Sequence, residues 1–96
     1  MRVIKKEPGK FPEVVDIPNE LEDLQKAVGG YIEVWTVTTD LAILCDEEGK
    51  LKGEEDNCTL LGEDFVGTIL LVGLDGPEFC DVDPHVANLF KMLWET

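Results

Sequence analysis

The sequence predicts an α+β domain: a mixed or antiparallel sheet of about four to five strands with two helices packed on it, in the order β-β-α-β-β-β-α. Three observations predict it. Runs rich in Val, Ile and Leu, alternating or continuously apolar, recur along the chain as strands do. Two stretches carry apolar residues at helical spacing between start and stop signals. The chain has 96 residues, 44% of them hydrophobic, which suits one domain spanning residues 1–96 and is too short for two.

Arg2-Val3-Ile4-Lys5 is the first strand, and Pro8-Gly9 and Pro12 punctuate the loop after it. Glu13-Val14-Val15-Asp16-Ile17 is β-branched and stops at Pro18, so the two runs read as a hairpin with a long loop. Asn19 as N-cap and Glu22 three residues later form a capping-box pattern. Leu21, Leu24, Ala27 and Val28 follow at helical spacing, and Gly29-Gly30 supplies the left-handed stop. Tyr31 to Val37 alternates, with Ile32 and Val34 on one face and Tyr31, Glu33, Trp35 and Val37 on the other. Apolar residues on both faces predict a central strand. Leu41 to Cys45 is almost wholly apolar, another central strand, and Glu47-Glu48-Gly49-Lys50 reads as its turn, with Gly49 free to take positive φ.

Leu51 to Asn57 is polar and reads as a loop or short edge strand, and Cys58 to Leu61 as a helical turn or strand end. Val66 to Gly73 is a buried strand, and Leu74 to Asp83 is a loop. Asp83 caps the last helix with Pro84 at its first position. Val86, Leu89, Phe90, Leu93 and Trp94 form its apolar stripe.

The net charge of −13 is uneven: residues 1–12 carry +3, while residues 40–83 carry −11. Nucleic acid and anionic membrane surfaces both need cationic partners, so neither binds this chain directly. The acids cluster as Asp46-Glu47-Glu48, Glu54-Glu55-Asp56 and Glu63-Asp64, with Asp75, Glu78, Asp81 and Asp83 beyond. All fall in turns or edges and are expected to be solvated together. Such clusters keep a small protein soluble. They also suit a face that competes for the basic groove of another protein, with carboxylates in place of phosphates. No apolar run reaches the roughly 20 residues that span a bilayer, and MRVIKKEPGK lacks a signal-peptide core, so a cytoplasmic location is expected.

Cys45, Cys58, Cys80 and His85 are the soft metal ligands, but spacings of 13, 22 and 5 match no common zinc module. Cys45 closes an apolar strand, where a free thiol is a small core residue. Cys80 lies near a helix start and His85, an arrangement that can lower a thiol pKa, yet no third orienting group is evident. Asp46 to Asn57 has the twelve-residue length of a calcium loop but lacks its mid-loop Gly and closing Glu. No phosphate-cradling glycine motif is present. No cofactor and no enzymatic activity are expected.

Glu7-Pro8-Gly9-Lys10, Pro12 to Ile17, Leu21-Glu22-x-Leu24-Gln25 and Val28 to Val34 together resemble one family. Glu47 to Leu51, Gly53, Asn57, Val66 to Ile69 and Val72-Gly73 extend the likeness over nearly the whole chain. It is a domain-of-unknown-function family of small proteins from phages and mobile elements of Gram-positive bacteria. The chain departs at Glu54-Glu55-Asp56, where the family is more often apolar or Pro-containing. The resemblance transfers no catalytic or binding residue. It implies a mobile-element accessory protein, a class rich in small acidic inhibitors of host defence.

Two functions follow as expectations. One is a protein–protein interaction, as with a host nuclease, through an acidic face of Asp46, Glu47, Glu48, Glu54, Glu55, Asp56, Glu63 and Asp64. The other is a small-ligand or nucleotide-sequestering module using Tyr31, Glu33 and Trp35. A monomer or a homodimer paired through a strand edge fits either.

Overall fold

The computed structural model describes residues 1–94, with side chains as far as Met92. Among them the chain forms β1 (Arg2–Lys6), β2 (Glu13–Asp16), α1 (Leu21–Val28), β3 (Ile32–Thr38), β4 (Leu41–Asp46), β5 (Asp56–Leu60), β6 (Glu63–Val66), β7 (Ile69–Asp75), β8 (Glu78–Cys80) and α2 (Pro84–Trp94). The fold is α+β, as the patterning predicts. The main sheet is six-stranded and antiparallel throughout, in the order β2-β1-β7-β4-β3. β8 pairs with β7 along the edge that β1 also uses, and Val82 N donates to Arg2 O at 2.9 Å where the two strands meet. β5 and β6 form a separate hairpin.

Both faces of the sheet are covered. β4 is buried along its whole length and alternates between two cores, as β7 does over most of its length. Ile43, Cys45, Ile69 and Leu71 pack with Phe65 of β6 and Ala87 of α2. Ala42, Leu44, Leu70 and Val72 pack with Leu24 and Val28 of α1. The helices therefore lie on opposite faces, and the β5–β6 hairpin shares one face with α2.

Several expectations change. β3 is the outer strand of the sheet, not a central one: Val34 and Trp35 are exposed, and only Ile32 and Val37 turn into the cores. Val66 belongs to β6, because the chain breaks at Gly67, whose φ is +69°. The β5–β6 hairpin turns at Leu61 and Gly62 with φ of 53° and 77°, the two positive values that a tight hairpin needs. Leu is a poor residue for that conformation, which hides the turn in the sequence. β8 returns from β7 through Gly76-Pro77, with Gly76 at φ +59°.

α1 starts at Glu20 without a side-chain cap, and Asn19 Nδ2 instead donates to Phe79 O at 3.0 Å. Gly29 takes the left-handed stop at φ +90°. Gly49 does not adopt positive φ; Gly53 does, at +70°. Asp83 caps α2 as expected, its Oδ1 accepting from His85 N at 2.8 Å. Val86 and Phe90 of the helical stripe face the sheet, whereas Leu89 is 61% exposed. The side chains of Leu93 and Trp94 lie outside the described residues.

Candidate functional site

The structure gathers residues from both expected sites around one cleft of about 240 Å³ on the α2 side of the sheet edge. Its wall is Trp35 on β3, packed edge-on against Phe65 of β6 with ring centroids 5.7 Å apart. Trp35 is 38% exposed, and its indole N–H donates to Glu33 Oε2 at 3.0 Å, which fixes that carboxylate beside the ring. Glu47, Glu63 and Asp64 complete an acidic rim. Lys50 is the cleft's cation, and Glu63 already engages it at 2.9 Å, which raises the Lys50 pKa. Leu51, 89% exposed, adds an apolar patch. Asp64 also lines an adjoining hollow with Asp56.

The eight acids expected on one face separate into distinct environments. Glu47, Glu63, Asp64 and Asp56 belong to the cleft and its neighbouring hollow. Glu48 faces a different concavity with Tyr31, Lys26 and Lys52, and Glu55 a third with Thr68. Asp46 is not solvated at all: its side chain is 1% exposed and accepts from Lys52 Nζ at 2.7 Å and Glu48 N at 2.9 Å. Glu54 also turns inward, with Oε2 enclosed and facing no donor.

These two carboxyls interact. Burial pushes Asp46 up, but the hydrogen bonds from Lys52, the Glu48 N–H and Glu54 outweigh it and hold Asp46 below the usual carboxylate range. Burial and then the bond to Asp46 push Glu54 up, so of the two carboxyls Glu54 is the first to take a proton as pH falls. Lys52 is raised by its bond to Asp46 and also donates to Gly29 O at 3.1 Å. Glycines make room for the cluster. A Cβ on Gly30 would lie 2.6 Å from Asp46 Oδ1, and one on Gly49 3.0 Å from Glu54 Oε2.

The expected small-ligand triplet also divides. Glu33 and Trp35 meet at the cleft, whereas Tyr31 lines the concavity beside α1. There Lys52 is committed to Asp46 and Gly29, and Glu22 and Glu48 oppose an anion.

The soft ligands do not converge: among the described residues no group of three or more His, Cys, Asp or Glu is arranged to hold a metal. Burial, then Glu33, pushes the Cys45 thiol up to about 12. Burial raises Cys58 as well. Burial followed by the charges of Asp75, Asp81 and Asp40 raises Cys80, the reverse of the activated thiol its position suggested. His85 is exposed.

Sequence reasoning missed Leu51, Phe65 and the Asn57 clamp. Asn57 Nδ2 donates to Lys6 O at 2.8 Å and Gly67 O at 2.7 Å, while its Oδ1 accepts from the buried Lys6 Nζ at 3.0 Å. That clamp ties the hairpin under the cleft to β1. The available signals were a lone Asn in a polar stretch and the place of Leu51 and Asn57 in the family likeness, neither of which assigns a contact. Among the described residues no helix is long and apolar enough to cross a membrane.

No curated protein and no solved structure matches the chain. One family model does, over residues 1–95, and it covers the strands, the cleft and the glycines around Asp46 alike. The chain belongs to that family, a domain of unknown function designated DUF3846.

Proposed function

We propose that this DUF3846 protein acts by protein–protein interaction, as a small acidic accessory protein of a phage or mobile element that offers its Trp35 cleft to a basic surface. A host nuclease suits that role, because a nucleic-acid channel is lined with Lys and Arg. The observation that carries the reading is the juxtaposition of exposed Trp35 and Leu51 with a rim of Glu33, Glu47, Glu63 and Asp64. Apolar anchors within a charged rim are the usual anatomy of an interface. The rim attracts cationic partners from a distance, and the Trp35 face takes a guanidinium by cation–π contact. An anionic nucleotide would meet the same rim as a barrier, so the sequestering alternative has less support.

The test is capture of partners from bacterial lysate by three proteins: the wild type, a Glu63→Lys/Asp64→Lys variant and a Glu20→Lys/Glu22→Lys control. The wild type and the control should retain the same basic protein at low salt and release it at high salt. The rim variant should not retain it. Equal capture by all three would end the proposal.

A further inference from the structure

The main sheet ends on two unlike edges. β2 is four residues long, lies between Pro12 and Pro18, and shows Glu13 and Asp16 to solvent. Short length, flanking prolines and charge are the usual devices that keep an edge from pairing with another chain. β3 lacks most of them over residues 32–36: no Pro or Lys interrupts it, its register shift falls beyond Thr36, and its one charge, Glu33, is held on the cleft face by the Trp35 indole N–H.

Tyr31 O accepts from Glu47 N, so Tyr31, Glu33 and Trp35 direct their backbone groups toward β4. Ile32, Val34 and Thr36 therefore direct theirs outward. Among the described residues nothing bonds these outward groups. They leave three N–H donors and three C=O acceptors in a row beside an exposed Val34 and Trp35.

We propose that β3 is a docking edge for an extended basic segment of a partner protein, which adds as a further antiparallel strand and lays alternate Arg or Lys side chains over the Trp35 cleft. The inference rests on the cleft being a receptor for cations, as proposed above. Charge complementarity selects this occupant. Residues of the added strand opposite Glu33 and Trp35 form non-hydrogen-bonded pairs, where Cβ atoms approach to about 4.5–5.5 Å. Such residues share the face of Glu33 and Trp35, so a basic side chain there meets the Glu33 carboxylate, the indole ring and then Glu63 and Asp64. Residues opposite Val34 project to the other face, beside Val34 and Thr36, and suit β-branched side chains. The segment thus alternates basic with apolar residues. A second copy is a poor occupant, because it carries −13 and presents Glu33 where a cation is needed.

The test uses a synthetic peptide of about nine residues alternating Arg and Val, long enough to span β3. Binding should slow amide exchange at Ile32, Val34 and Thr36 roughly tenfold or more, and should shift the Trp35 indole N–H signal. N-methylation of the peptide amides that face β3 should weaken binding at least roughly tenfold, because each blocks a ladder bond while keeping the charge. Val34→Pro should do the same from the protein side. The methylated peptide keeps the test decisive if that variant does not fold.

Indole shifts without slowed exchange, or affinity indifferent to methylation, would overturn strand addition and leave the acidic cleft standing. Absence of any peptide binding would overturn it too, and the rim-reversal capture then judges the cleft separately. Protection of the three amides in the free protein, growing with its own concentration, would assign the edge to a second copy and overturn the basic-segment inference.

Discussion

Asp46 and Glu47 are neighbours in sequence and opposites in environment. The Asp46 carboxylate is enclosed by Lys52, the Glu48 N–H and Glu54, whereas Glu47 stands exposed on the rim of the cleft. Glu54 and Glu63 repeat the contrast: the first turns in toward the glycines, the second pairs with Lys50 at the surface. One residue type thus does two jobs, holding the loop after β4 together and charging the surface that the loop presents. The difference lies in what the backbone leaves open beside each carboxyl.

The largest effect should come from Asp46→Ala, which removes the charge-assisted bonds from Lys52 and the Glu48 N–H and costs about 3 kcal/mol of stability. Glu47→Ala should stay within about 0.5 kcal/mol, so urea midpoints of the two variants measure the contrast directly.

Next comes Gly67→Ala. Its φ is +69°, and the added Cβ would collide with the Glu54 carboxyl, for about 2 kcal/mol. A cost of only about 1 kcal/mol, the backbone strain alone, would mean that Glu54 turns out to solvent, which breaks the inward half of the comparison.

Glu54→Gln should act in the opposite direction, stabilising by about 1 kcal/mol at pH 7, because it keeps a donor for Asp46 without a second charge. The pH profile sharpens this. The folded pKa of Glu54 is raised, so its contribution to stability is complete below the ordinary 4.5 and is lost as pH climbs through the folded value. The folded pKa of Asp46 is lowered, so its contribution is present above 3.8 and is lost as pH falls through the folded value. The wild type should therefore be most stable in mild acid, and Glu54→Gln should lose the decline on the alkaline side. Thermal melts across pH 4 to 9 check both variants. A wild-type maximum at alkaline pH would contradict the raised Glu54.

Small in stability as well is the Glu63→Lys/Asp64→Lys pair, expected within roughly 0.5–1 kcal/mol despite its loss of partner capture. A large loss of stability there would mean that the rim is structural.

The fold was legible where one local rule decides the outcome. Gly29 ends α1, Asp83 and Pro84 start α2, and the apolar run of β4 marks a buried strand. It was not legible where neighbours decide. The patterning of β3 describes a strand with two apolar faces, and only the strand order shows that one side has no neighbour. The hairpin of β5 and β6 was obscured because Leu61 occupies a turn position that Gly, Asn or Asp would have advertised. Half of the cleft was legible as chemistry, through Trp35, Glu33 and the acid clusters. Their separation into inward and outward groups depends on Gly30, Gly49 and Gly67, whose spacing in sequence says nothing about a shared wall.

The placement of β1 sets an order of assembly. β1 pairs with β2 in a local hairpin, but Lys6 also lies opposite Ile69 and Arg2 is tied to Asp81 and Val82, so β1 reaches its partner on the sheet's inner side only after β7 has been made. Until then Val3 and Ile4 have the β1–β2 hairpin but no core to bury them, and closing so long a loop slows the search. A nascent chain stalled before β7 should remain open to protease along its whole length, and protection should arrive in one step once β7 emerges.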